Sequence, residues 1–205
     1  TRLATNMATV TSTRDLRSSD LADVSLSAGL LSALTRIEYY TPDGQEIASW
    51  ASRETPASRP ADTARLLERA RTTHQPITIL SCDHDCVLYA FVPAFDRDSR
   101  EVTMIVGQLA SDQLQVFRRL SGADVALLKP GTDGDSPEVW GRSVRVLTNA
   151  PALAPMLGTM GGDAAPSPET SATKIVGDRH YLLAMHALPA KIVGGSGGGP
   201  EALFI

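Results

Sequence analysis

The order of apolar runs and turns in this chain occurs twice, and the repetition restricts the fold more than any single motif does. The first pass runs strand (Arg36 to Tyr40), a turn through Pro42, Asp43 and Gly44, strand (Glu46 to Trp50) and an amphipathic helix after Pro60. Strands Thr78 to Leu80, Val87 to Pro93 and Val102 to Leu109 complete it. The second runs strand (Ala123 to Leu128), a turn between Pro130 and Gly134, strand (Ser143 to Thr148) and a short helix after Pro151. It closes with Thr173 to Val176, His180 to Leu188 and Ala202 to Ile205. Strands separated by Gly and Pro turns, with one helix in each pass, predict an α+β fold of two similar lobes, each an antiparallel sheet with flanking helices.

A chain of 205 residues with 42% hydrophobic content can bury a sizeable core, and two lobes of about 80 to 90 residues fit the lower size range of self-sufficient domains. The 23 acidic residues exceed the 19 basic ones, for a net charge of −4. No basic stripe is available to neutralise a run of phosphates, so nucleic acid is not an expected partner. No segment approaches the roughly 18 consecutive apolar residues of a membrane helix. The chain starts at Thr1 inside a helical pattern and stops in the apolar run Ala202 to Ile205. The expectation is a portion of a longer, membrane-anchored protein that continues on both sides.

Spacings of three and four residues mark the helices. Residues 1–35 carry Leu3, Met7 and Val10 on one helical face and Leu21, Val24, Ala28 and Leu31 on another, predicting a long N-terminal helix. Residues 36–121 form the first lobe with a linking helix, and residues 122–205 the second, smaller lobe. In the first hairpin Gly44 is suited to a positive φ. Ser58 is a capping candidate and Pro60 suits a first helical turn, with Leu66, Leu67 and Ala70 as the buried stripe of a helix ending near Thr73. Asp112 to Gln115 has capping-box spacing, Leu114, Phe117 and Leu120 share a face, and Gly122 is placed to close that helix. The second-lobe helix begins near Asn149 and Pro151, buries Leu153, Met156 and Leu157, and stops at Gly158. Residues 159–171 read as an exposed loop and residues 194–199 as a flexible, glycine-rich connection.

Cys82-Asp83-His84-Asp85-Cys86 is the sharpest local feature. At a hairpin tip the two Cα atoms would face each other at about 4.5 to 5.5 Å, within disulfide range. A disulfide there closes so short a loop that it contributes only about 2 kcal/mol. Two other uses of these residues stay open: metal binding through Cys82, His84 and Cys86, for which no fourth ligand is evident, and reversible thiol sensing, which Asp83 and Asp85 oppose by disfavouring the thiolate.

Catalytic signatures are missing. The tract Gly194 to Gly198 fits Gly-x-Ser-x-Gly, but Pro200 follows and no helix does. His74, His84, His180 and His186 show no paired metal-ligand spacing, and there is neither a P-loop nor a dinucleotide-binding glycine fingerprint. The domain is therefore expected to be non-catalytic and to need no cofactor. A small-molecule pocket needs aromatic walls and a few orienting polar groups. Tyr39, Trp50, Arg53, Tyr89 and Phe91 are the first-lobe candidates, Arg53 as a guanidinium able to grip a carboxylate. Trp140, Arg142 and Tyr181 are their second-lobe counterparts. Every one of these residue types also serves ordinary core packing.

The element order, the turn Tyr40-Thr41-Pro42-Asp43-Gly44, the run Arg119-Leu120-Ser121-Gly122-Ala123-Asp124-Val125-Ala126-Leu127-Leu128 and the run Asp178-Arg179-His180-Tyr181-Leu182-Leu183 resemble the double Cache family. These are PAS-like extracytoplasmic input domains of bacterial sensor histidine kinases, diguanylate cyclases and chemoreceptors. The resemblance implies a long N-terminal helix leaving one membrane span, a membrane-distal lobe that holds the ligand, and a membrane-proximal lobe whose last strand leads to a second span. It also implies a periplasmic or extracellular location, a homodimeric parent receptor of the inner membrane, and a small ligand such as a carboxylate or amino acid. Two further expectations stand beside it: a protein-interaction or dimerisation module without a small ligand, and a thiol redox sensor acting through Cys82 and Cys86.

Overall fold

Among the described residues, alternation of β-branched and aromatic residues with polar ones produces the strands, and three apolar-striped runs produce the helices. The computed structural model describes residues 34–52, 59–82, 85–96, 99–131, 138–160, 171–176, 178–188 and 201–205. Along the first half run β1 (Leu34–Tyr40), β2 (Glu46–Ala51), α1 (Thr63–Thr73), β3 (Ile77–Cys82), β4 (Cys86–Phe95) and β5 (Glu101–Leu109). Then come α2 (Ala110–Ser121), β6 (Val125–Pro130), β7 (Glu138–Val139), β8 (Arg142–Leu147), α3 (Ala150–Gly158), β9 (Ser171–Val176), β10 (Arg179–Ala187) and β11 (Glu201–Phe204). The architecture is α+β and mainly antiparallel sheet. The expected N-terminal helix falls almost wholly outside the described residues; its last two positions, Leu34 and Thr35, belong to β1. The loop expected at 159–171 and the glycine-rich connection also lie largely or wholly outside them.

The first sheet has the order β2-β1-β5-β4-β3 and the second β7-β8-β6-β11-β10-β9. With the two-residue β7 set aside, both sheets place their strands in the order second, first, fifth, fourth, third. β1 pairs antiparallel with β2 and β5, and β5 with β4. β6 pairs antiparallel with β8 and β11, and β10 with β11 and β9. The chain divides into two compact units, one of residues through Ser81 with Val87–Leu109 and one of Cys82–Cys86 with Ala110–Ile205.

In the first unit the sheet is buried on both faces, as the near-continuous burial of β1 requires. One face gathers Leu34, Ile37, Tyr39, Ala48, Val92, Val102 and Met104, with Trp50 packed against them. The other gathers Tyr40, Ile79, Val87, Tyr89, Phe91 and Ile105 under Leu66, Leu67 and Ala70 of α1, the stripe its spacing predicts. The expected cap Ser58 lies outside the described residues. The helix begins three positions after Pro60, whose carbonyl accepts hydrogen bonds from the Thr63 amide at 3.1 Å and from its hydroxyl at 2.6 Å.

In the second unit Leu153, Met156 and Leu157 of α3 pack on Ala126, Leu128, Leu183 and Met185. Asn149 caps this helix by position and proline stands in its first turn, as expected. Gly122 takes φ +75° and donates to the Arg118 carbonyl at 2.8 Å, ending α2. The capping box expected at Asp112 to Gln115 does not form. α2 starts two residues earlier, straight out of β5, which leaves Asp112 in the first turn, while Gln115 Nε2 donates to the Thr148 carbonyl at 2.6 Å. The face of Leu114, Phe117 and Leu120 is not a core face: Ala110 is the buried residue of α2, and Leu120 is 84% exposed.

Candidate functional site

Strand β1 carries Arg36, Glu38 and Tyr40 at alternate positions, so all three project to the side of the sheet that α1 covers. The register sets their neighbours. Arg36 stands opposite Gly107, which stands opposite Tyr89; Glu38 opposite Ile105, opposite Phe91; Tyr40 opposite Thr103, opposite Pro93. Polar side chains on β1 thus lie beside an aromatic wall on β4, across a β5 that is small at Gly107. A Cβ at Gly107 would lie 2.8 Å from Tyr89 Cε1 and 3.0 Å from Thr35 Oγ1, so the Tyr89 ring rests where only hydrogen is tolerated.

The Glu38 side chain has no solvent exposure. An ionised carboxylate in that position requires nearly complete compensation by charge and hydrogen bonds. Tyr40 donates its hydroxyl to Oε2 at 2.7 Å, Arg59 donates Nε to Oε1 at 2.8 Å, and Arg36 Nη1 also binds Oε1. Arg59 reaches in from the segment preceding α1, lies over the Tyr40 ring at 6.0 Å from its centroid, and uses Nη2 to bind Glu46 at the start of β2. Burial of the side chains falls off outward, from Glu38 at 0% exposed to Arg36 at 17%, Glu46 at 35% and Arg59 at 42%. Two cations and two anions balance in a polar wedge running from the core to the surface.

Electrostatics shift three members of this wedge. Burial, and then the hydrogen bond to Glu38, pushes the Tyr40 hydroxyl well above its ordinary value, so it remains a donor. The hydrogen bond to Glu38 raises Arg59 further, against the opposing effect of burial. A hydrogen bond from Ser49, followed by Arg59, keeps the Glu46 carboxyl below the usual carboxylate value. Next to the wedge, the turn Thr41 to Gly44, the Ala64, Leu67, Glu68 and Arg71 side of α1 and Thr103 enclose a cleft of about 380 Å³. Arg71 and Glu68 are paired on its rim at 2.7 Å.

Four of the five residues proposed from sequence are described, and the structure divides them between the two faces of the first sheet. Tyr89 and Phe91 share the α1-covered face with the wedge, at 1% and 0% exposure. Tyr39 and Trp50 pack on the opposite face. Arg53 lies outside the described residues. In the second unit Trp140 and Tyr181 both pack against the cluster under α3, and Arg142 Nη1 donates to the Trp140 carbonyl at 3.1 Å. Sequence reasoning missed Arg36, Glu38, Tyr40, Glu46 and Arg59. The first three left a signal, three polar-headed residues at period two inside an apolar strand; Arg59, 21 positions from Glu38, left none.

Cys82 and Cys86 form a disulfide at the β3–β4 tip, with Cα atoms 4.0 Å apart, closer than the distance expected from a regular strand pair. The metal alternative includes His84, which lies outside the described residues. Among the described residues no group of three or more His, Cys, Asp or Glu is placed to hold a metal ion, and no helix is long and apolar enough to cross a membrane.

No protein-family model and no curated protein sequence matches the chain. Solved structures similar to the chain include ligand-binding domains of chemoreceptors. An extracellular ligand-binding receptor from Desulfohalobium retbaense superposes with a TM-score of 0.47 at 12% identity, over 99% of this chain and 35% of that one. The ligand-binding domain of the Pseudomonas aeruginosa amino acid chemoreceptor PctC, in complex with GABA, gives 0.42 at 10% identity over 99% of this chain and 86% of that one. The ligand-binding domain of the Campylobacter jejuni chemoreceptor Tlp3, in complex with L-norvaline, gives 0.43 at 10% identity over 87% and 66%. The chain spans about a third of the first of these proteins.

Proposed function

We propose that this chain is the ligand-sensing input domain of a membrane-bound signal-transduction receptor, and that its first, PAS-like lobe binds a small molecule on the α1-covered face of the sheet. The observation that carries this function is the wedge of Arg36, Glu38, Tyr40, Arg59 and Glu46. It brings preorganised charge from a dry interior to the surface, beside an aromatic wall and a cleft. Ligand sites combine apolar walls with a few fixed polar groups in this way. The double Cache resemblance in the sequence adds the setting: an extracytoplasmic, membrane-anchored, dimeric parent of the histidine kinase or diguanylate cyclase type, a membrane-proximal second lobe, and a carboxylate or amino acid as ligand. Tyr89 and Phe91 stay in the proposed site as its wall. Tyr39 and Trp50, on the other face, support the sheet from behind.

A thermal-shift screen against amino acids, carboxylates and polyamines tests this directly. A ligand that binds the native state at 100 times its Kd stabilises it by about 2.7 kcal/mol, a readily measured rise in Tm. Silence across the screen would remove the function. A second function, a protein-interaction module, has two observations of its own: Tyr89 and Phe91 are sealed under α1, and α2 exposes Val116, Phe117 and Leu120.

A further inference from the structure

Glu38 cannot leave its place. It is embedded in β1 between two paired strands, without solvent contact, and its charge is answered by three donors. Its bond to Nε therefore fixes where the Arg59 guanidinium sits, as an outer partner orients a ligand-binding group. The outward edge of that guanidinium is only half used. Nη2 meets one oxygen of Glu46, and Nη1 has no partner among the described residues. A guanidinium edge of two parallel N–H groups fits the two oxygens of a carboxylate. Glu46, at 35% side-chain exposure, can swing into water, and an ion pair this open is worth little.

We propose that Arg59 is the anchor of the ligand site, closed in the empty protein by the protein's own Glu46, and that a small carboxylate binds by displacing Glu46 from the guanidinium edge. This rests on the ligand-sensing function proposed above. The exchange conserves charge, since one carboxylate replaces another and Arg36, Arg59 and Glu38 keep their balance. It also imposes selectivity: an alkylammonium ion offers no acceptor to the edge and meets two fixed positive charges. Because Glu46 begins β2, occupancy of Arg59 frees the β1–β2 hairpin from one of its ties.

Calorimetric titration with sodium propionate, with propylammonium chloride at equal ionic strength as the control, tests the exchange on the wild type, Glu46→Gln and Arg59→Lys. Glu46→Gln removes the competitor and is expected to bind propionate about fivefold more tightly than the wild type, the gain corresponding to a half-exposed ion pair. Arg59→Lys keeps the charge that Glu38 needs, so it is expected to fold, and it is expected to lose propionate because the planar edge is gone. Propylammonium is expected to bind none of them. Absence of saturable propionate binding to Glu46→Gln, or undiminished binding to folded Arg59→Lys, overturns the anchor. A hit from the thermal-shift screen that stabilises Arg59→Lys as well as wild type sinks the anchor and leaves ligand sensing standing. Propionate binding by Glu46→Gln with a silent screen on the wild type sinks the sensing function and the displacement with it, leaving only a guanidinium edge that Glu46 keeps closed.

Discussion

A fully buried carboxylate persists at Glu38 because two guanidiniums and a phenol replace the water it has lost, so the group most expensive to bury is also the one that orders its neighbours. Glu38→Gln leaves Arg36 and Arg59 without their shared counter-ion and is expected to lower unfolding free energy by about 3 kcal/mol, read from urea midpoints. Glu46 makes a pH-dependent contribution. Its carboxyl titrates below the ordinary value of 4.5 in the folded protein. Its contribution is therefore complete above that ordinary value and is lost as pH falls through the lower folded one. Urea midpoints measured between roughly pH 6 and pH 3 are expected to fall with acid in the wild type, and less steeply in Glu46→Gln. At Gly107 an added methyl group meets the Tyr89 ring and Thr35 Oγ1. Gly107→Ala is expected to destabilise by about 1 to 3 kcal/mol through overpacking, visible as a lower Tm. Of this residue-scale detail the sequence shows the alternation Arg36, Glu38, Tyr40. The approach of Arg59 is invisible there, because no periodicity links positions 21 apart on different elements.

At the scale of elements, α1 and α3 were legible to the individual side chain: Leu66, Leu67 and Ala70, and Leu153, Met156 and Leu157, are the residues each buries. Spacing of three and four suffices when a helix has one sheet to lie on. α2 has comparable spacing and buries only Ala110, so a stripe states that a helix can pack, and the surroundings decide whether it does. The β3–β4 tip carries the Cys82–Cys86 disulfide. Its reduction is expected to lower stability by about 2 kcal/mol, the constraint of a very short loop on the unfolded chain. Paired urea titrations with and without reductant, followed by gel filtration, check this. An unchanged oligomeric state is the expected result; a change on reduction would speak for thiol sensing instead.

At the scale of the whole molecule, the two compact units each hold one of the chain's two tryptophans, Trp50 in the first and Trp140 in the second. Each packs against the core of its own unit, so the fluorescence of Trp50→Phe and Trp140→Phe variants reports the units one at a time. Leu157→Ala, a large-to-small change in the second core, costs about 2 to 5 kcal/mol there. It is expected to move the unfolding midpoint seen by Trp140 further than the midpoint seen by Trp50. Equal movement of both would show that the units unfold as one.

The repeated sheet, the helix stripes and the turn at Gly44 were set by local pattern, because neighbouring residues alone decide whether a stretch can present an apolar face at period two or 3.6. Which face of the first sheet lies under α1 was a tertiary decision. Tyr39 and Trp50 share the aromatic chemistry of Tyr89 and Phe91, yet they pack on the other side. The wedge was a tertiary decision too. Burial of Glu38 draws its counter-charges from wherever the folded chain brings them near, and desolvation acts through space, without regard to separation along the sequence.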